Sequence, residues 1–131
     1  MKQFLFIFLL AISLVTSCSQ PKKEVQTVSP QDVYDAVYNK SNTSLQLVDV
    51  RTAEEYGVAH LKDAQNICVT EADFQEKVKT LDKDKPVYVY CRSGGRSARA
   101  AKILAEMGFT EIYDLDGGIT AWEEDGLETA N

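Results

Sequence analysis

The chain has 131 residues, with 14 basic against 20 acidic side chains and a formal net charge of −6. That balance excludes nucleic-acid binding by bulk electrostatics, which needs a basic surface to neutralise phosphates. Three cysteines and a single histidine, with no close Cys/His spacing, exclude both a disulfide scaffold and a structural zinc site, so neither a metal nor a cofactor is expected.

In chain order, residues 1–17 read as an address. Lys2 supplies a short positive start, and Phe4 to Val15 is apolar apart from Ser13. That run is shorter than the roughly 20 residues of a spanning helix but suits a signal-peptide core. It ends in Val15-Thr16-Ser17-Cys18, which resembles the bacterial lipobox. The resemblance implies cleavage before Cys18, acylation of the Cys18 thiol and a lipid anchor in an envelope membrane. Ser19, in place of the aspartate that commonly retains lipoproteins at the inner membrane, points to the periplasmic face of the outer membrane. An ordinary cleaved signal with an incidental cysteine is the alternative. Residues 18–24 form a polar tether, and residues 25–131 are long enough for one domain with one core.

The domain alternates strand-like and helix-like segments, which predicts an α/β fold: a mostly parallel central sheet of about five strands with helices on both faces. A short strand is expected near Val25 to Val28. Ser29-Pro30-Gln31-Asp32 reads as a helix start, and Val33/Val37 and Tyr34/Tyr38 give that helix a buried stripe. Leu45 to Val50 reads as a buried strand running into Arg51, followed by a short helix over Thr52 to Gly57. A strand is expected over Gln65 to Val69, then a helix opened by Thr70 and Asp73 with Phe74, Val78 and Leu81 on one face. Val87-Tyr88-Val89-Tyr90, β-branched and aromatic throughout, reads as the central strand. A helix carrying Ala100, Ile103, Leu104 and Met107 follows and stops at Gly108. Glu111 to Leu115 is the last strand, and Asp116-Gly117-Gly118 turns into a final helix carrying Trp122 and ending at Gly126.

The chemistry concentrates between the central strand and the helix after it, in Cys91-Arg92-Ser93-Gly94-Gly95-Arg96-Ser97. A cysteine there lies at the C-terminal edge of a parallel sheet, where open α/β folds bind ligands. Glycines let the backbone curl so that successive N–H groups converge, and the helix adds its unpaired N–H groups and positive dipole end. Such a cradle lowers the pKa of a thiol, and the thiolate is the nucleophile. Arg92 and Arg96 place positive charge in the turn, whereas Arg99 and Lys102 read as a solvated helix face. A positive spot on an acidic body recruits a small anion.

At these residues a family resemblance emerges. Cys91 to Ser97 resembles the active-site loop of rhodanese-like domains. Leu47-Val48-Asp49-Val50-Arg51 with Glu55-Tyr56, Ala59-His60-Leu61-Lys62-Asp63-Ala64-Gln65-Asn66-Ile67 and Gly117-Gly118-Ile119-Thr120-Ala121-Trp122 are similar to three further motifs of that family, in the same order. The resemblance spans about Val25 to Leu127. Ala59 and Asp63 stand where the family usually has glycine, and Cys68 where a proline or small residue is usual.

The resemblance implies a rhodanese-like fold and a sulfurtransferase. Cys91 would take the outer sulfur of thiosulfate or a persulfide donor, hold it as a persulfide, and pass it to cyanide or a thiol. The N–H groups of Ser93 to Ser97, with Gly94 and Gly95 shaping the turn, would stabilise the persulfide, and Arg92 and Arg96 would position the donor. Asp49, Arg51 and Glu55 are expected to brace loops through ion pairs, and Gly117 and Gly118 to be backbone devices near the active loop. His60 reads as structural, Cys68, Tyr113 and Trp122 as core residues. A membrane-tethered sulfur carrier acting on a protein partner is the alternative. Phosphatase or arsenate reductase chemistry is disfavoured, because four residues rather than five separate Cys91 from Arg96 and the loop contains no acid.

Overall fold

A computed structural model describes residues 24–40 and 44–131; the leader, Cys18 and nearly all of the tether lie outside the described residues. Strands β1 (Gln26–Val28), β2 (Gln46–Asp49), β3 (Gln65–Asn66), β4 (Val87–Tyr90) and β5 (Ile112–Leu115) form one sheet in the spatial order β1-β5-β4-β2-β3. Every ladder is parallel, so the C-terminal ends of all five strands share one edge. The α-helices are α1 (Pro30–Tyr34), which continues into a π-helical turn over Asp35–Asn39, α2 (Ala53–Val58), α3 (Phe74–Lys77), α4 (Gly95–Glu106) and α5 (Gly118–Glu124).

Side-chain alternation along the strands creates two cores. Val48, Val50, Val87, Val89 and Ile112 point to one face, where Phe74 and Val78 of the α3 segment and Ala100, Ala101 and Leu104 of α4 cover them. Leu47, Tyr90 and Leu115 point to the other, against Val33 of α1 and Ile119 and Trp122 of α5. Helices therefore pack on both faces, as the alternating pattern predicts.

Most expected boundaries hold. Ser29 caps α1 by accepting a hydrogen bond from the Asp32 N–H at 3.2 Å, with Pro30 at the first helical position. The expected Gln65–Val69 strand is shorter, because the ladder with β2 ends at Asn66. The chain nonetheless stays tied to the end of β2, through Ile67 N–H to the Asp49 carbonyl at 2.9 Å and Val69 N–H to the Val50 carbonyl at 3.1 Å. The helix expected from Thr70 and Asp73 is one α turn followed by a 3₁₀ turn, Val78–Thr80. Neither side chain caps it: Asp73 makes no capping bond, and the Thr70 hydroxyl lies 3.1 Å from Cys68 Sγ. Phe74, Val78 and Leu81 are still buried together. Of the two positions where the family resemblance led glycine to be expected, Asp63 takes a left-handed φ of 66°, whereas Ala59 is extended.

Strand order locates the site. After β2 the chain moves outward to β3, and after β4 it moves the opposite way to β5. The loops leaving β2 and β4 thus diverge from adjacent strands, opening the crevice in which sheets of this kind bind ligands.

Candidate active site

Cys91 follows the last residue of β4 and sits at the mouth of that crevice. The backbone then turns through Gly94, whose φ of 129° only glycine adopts readily, and enters α4 at Gly95. This turn directs N–H groups inward. The Gly94 N–H donates to Cys91 Sγ at 3.0 Å, and the N–H groups of Ser93 and Ser97 also act on the sulfur. The Ser97 hydroxyl lies 3.4 Å from Sγ and donates to the Gly94 carbonyl at 3.1 Å. Burial alone would push the thiol pKa up, but these hydrogen bonds from Ser97, Gly94 and Ser93 outweigh it and bring the pKa below the usual cysteine range. Cys91 is 1% exposed, so the sulfur occupies the floor of the loop.

A second layer holds the loop from outside. The N–H groups of Ile119 and Thr120, at the start of α5, donate to the carbonyls of Cys91 and Arg92 at 2.9 and 3.1 Å. With those carbonyls occupied on the outer side, the loop amides are left to face the sulfur. This contact requires glycine at 118. Its φ is 62°, and a Cβ there would strike the Cys91 carbonyl oxygen and fall 2.6 Å from the Arg92 carbonyl carbon. The expected role of Gly117 and Gly118 as backbone devices beside the active loop holds.

The β2 loop supplies the third support. Asp49, fully buried, accepts from the Arg51 N–H at 2.9 Å, from the Arg51 guanidinium at 2.7 Å and from the Tyr90 hydroxyl at 2.7 Å. Arg51 also donates to the Ala59 carbonyl at 2.6 Å, and Asn66 Nδ2 donates to the carbonyls of Asp49 and Arg51. Asp49 and Arg51 therefore brace the loop, as expected. Tyr90 is the member the sequence concealed: read as one more apolar strand residue, it joins β4 to this network and accepts the Leu61 N–H at 3.0 Å. Tyr90→Phe is expected to cost about 1–3 kcal/mol, since it leaves a buried N–H unpaired. A urea midpoint lowered without a change in slope would measure this, and an unshifted midpoint would refute it.

So braced, the chain enters α2 through a capping box. Thr52 Oγ1 accepts the Glu55 N–H at 3.3 Å, and Glu55 Oε2 accepts the Thr52 N–H at 3.1 Å. The same carboxylate receives both terminal nitrogens of Arg96, at 2.6 and 2.8 Å. This corrects one expectation. Arg96 is not free to position a donor anion, because a bidentate pair with a carboxylate satisfies its fork and cancels its charge. It clamps the active loop to α2 instead. The Thr52-x-x-Glu55 spacing signals the cap, but nothing local signals the reach to Arg96.

The pair leaves a titratable trace. The hydrogen bonds from Arg96 first, and those from Thr52 after, hold the Glu55 carboxyl at about 2 against an ordinary 4.5. A depressed carboxyl pKa stabilises the fold above its unfolded value, and that contribution disappears as pH falls through the folded value. Glu55→Gln is therefore expected to be less stable than the parent at neutral pH and to match it near pH 2. Denaturant midpoints across this window measure the convergence; a gap independent of pH would show that the pair contributes nothing.

The remaining residues divide clearly. Arg92 is exposed, with its guanidinium unpaired among the described residues, and is the free cation of the loop. Arg99 and Lys102 are exposed on α4. His60 stacks on Tyr56 with ring centroids 3.8 Å apart, and its Nδ1 lies 2.9 Å from the Tyr56 carbonyl, a structural setting. Cys68 is buried beside Thr70. Trp122 is core, but Tyr113 is only half-buried, stacked on Tyr88. Asp114, on β5, is a buried carboxyl that the sequence reading passed over; its Oδ1 has no hydrogen-bond partner among the described residues, and burial pushes its pKa up.

Comparison with known proteins agrees with this geometry. The model of the rhodanese-like domain matches residues 29–125. The chain is 32% identical to the thiosulfate sulfurtransferase GlpE of Actinobacillus pleuropneumoniae, over 79% of this chain and 93% of that protein. It is 39% identical to the putative sulfurtransferase YtwF of Bacillus subtilis, over 77% and 90%. Among solved structures, the polysulfide-sulfur transferase homodimer of Wolinella succinogenes is similar, with a TM-score of 0.68, 31% identity and coverage of 83% of this chain and 80% of that one. With this fold, this loop and these relatives, the chain belongs to the rhodanese-like domain family.

Proposed function

We propose that the protein is a sulfurtransferase that moves sulfane sulfur from thiosulfate or a persulfide donor to a thiophilic acceptor, cyanide or a thiol, through a persulfide on Cys91. The observation that carries this reading is the convergence of amide N–H groups and the Ser97 hydroxyl on one sulfur whose pKa they lower. The Cys91 thiolate attacks the outer sulfur of the donor, a new S–S bond forms, and the donor's own bond to that sulfur breaks. With thiosulfate the electron pair leaves on sulfite. The loop amides already face the negative charge that remains on the persulfide, so its stabilisation needs no rearrangement. Arg92, as the unpaired cation, draws the donor anion to the loop.

We propose further that acylated Cys18 anchors the domain at the periplasmic face of the outer membrane. Intact mass of the protein extracted from membranes tests both proposals. One sulfur atom gained after thiosulfate and lost again with cyanide supports the transfer chemistry, and a mass unchanged by thiosulfate overturns it. Acyl mass on a chain beginning at Cys18 supports the anchor; a chain without lipid, or one retaining residues 1–17, removes it.

A further inference from the structure

Next to β4, strand β5 carries a buried carboxyl group, Asp114, in register with Val89. Strand alternation puts its side chain on the same face as Ile112, which packs with Ala100, Ala101 and Leu104 of α4. The same alternation carries the neighbouring strand from Val89 to Cys91 on that face. Linking the two is Ser97, fully buried in the first turn of α4. Its hydroxyl lies 3.4 Å from Cys91 Sγ and also acts on the Asp114 carboxyl.

The setting of Asp114 suits an acid that keeps its proton. No cation among the described residues pairs with it, its Oδ1 lacks a hydrogen-bond partner there, and the nearby charge acting on it is acidic Asp116. A bare carboxylate is costly in such a place, and burial accordingly pushes the pKa up. The protonation state matters to Ser97, whose hydroxyl has one hydrogen and two acceptor lone pairs. A charged Asp114 would compete with the Cys91 thiolate for that single hydrogen. A neutral Asp114 supplies a hydrogen of its own to the serine oxygen and no longer draws the serine hydrogen from the sulfur.

We propose that Asp114 is a positioning residue for Cys91: as a neutral acid it donates to Ser97 Oγ and so turns the Ser97 hydroxyl toward the sulfur. This deepens the sulfurtransferase reading and takes its purpose from it. Thiol ionisation is measured without any sulfur transfer, however, so the two ideas fail separately.

The test is the pH dependence of Cys91 alkylation in the full chain. Asp114→Leu keeps the bulk and removes the donor. It should raise the Cys91 pKa by about one, roughly the worth of one hydrogen bond to an anion. Asp114→Asn, whose amide can donate to the same oxygen, should bring the pKa back to that of the parent. In a Ser97→Ala background the Leu and Asn proteins should coincide, because the relay has lost its middle member; a mere disturbance of β5 would persist there. No shift in Asp114→Leu, a shift that survives in Ser97→Ala, or a pKa below the parent's in Asp114→Asn, the mark of a lost negative charge, overturns the proposal. Should the leucine variant not fold, infrared spectra at neutral pH decide. The parent should show a buried carboxylic acid C=O band that is missing from Asp114→Asn and that moves when Cys91 is alkylated. Absence of the band or of its movement overturns the proposal as well.

Discussion

Cys91→Ser is expected to abolish sulfur transfer while leaving the fold unchanged. Serine fills nearly the same volume, can accept the Gly94 N–H and can donate to Ser97 Oγ as the thiol does. Its hydroxyl, however, does not ionise under conditions in which a cradled thiol does, so no comparable nucleophile forms. Loss of a nucleophile of this kind lowers turnover by roughly 10⁴-fold or more. Steady-state assay with thiosulfate and cyanide measures the loss, and a matching denaturation curve shows that the domain is intact. Substantial turnover in a folded variant would move the sulfur to another group, Cys68 being the other thiol of the described domain.

Gly118→Ala is expected to damage both stability and chemistry from a position that never touches the sulfur. The left-handed backbone costs an L residue about 1 kcal/mol, and driving a methyl into packed neighbours costs about 1–3 kcal/mol more. Here the neighbours are the backbone of Cys91 and Arg92, which cannot swing aside as a side chain would. Relief requires α5 to retreat, withdrawing the Ile119 and Thr120 N–H groups from the loop carbonyls. The loop amides then lose their aim, and the Cys91 pKa should rise toward that of free cysteine. The pH dependence of thiol alkylation reads this directly. A variant that alkylates like the parent would show that α5 does not set the loop.

Much of this arrangement is legible in the sequence because local rules govern it. Val87 to Tyr90 can only be an interior strand, the paired glycines before Trp122 mark a backbone constraint, and Ser29-Pro30 announces a helix. What was hidden depends on distance. Arg96 and Glu55 are far apart in the chain, and only the parallel pairing of β2 with β4 brings α2 beside the active loop; a cation beside a cysteine therefore looked like a substrate ligand. Tyr90 was hidden for a different reason, since its ring satisfies the strand pattern while its hydroxyl joins a buried polar network. The apolar run after Gln65 overstated β3, because apolar character marks burial and the hydrogen-bond ladder ends sooner.

For the proposed reaction, the depth of the thiol would set an asymmetry between its two halves. With Cys91 on the floor of its loop, only a narrow molecule can deliver sulfur to it. In the proposed persulfide the reactive atom would stand one S–S bond, about 2 Å, beyond Sγ, where a broader molecule could collect it. Loading thus works as a sieve and unloading as an open counter. The same wall would keep bulky disulfides from capping the resting thiol.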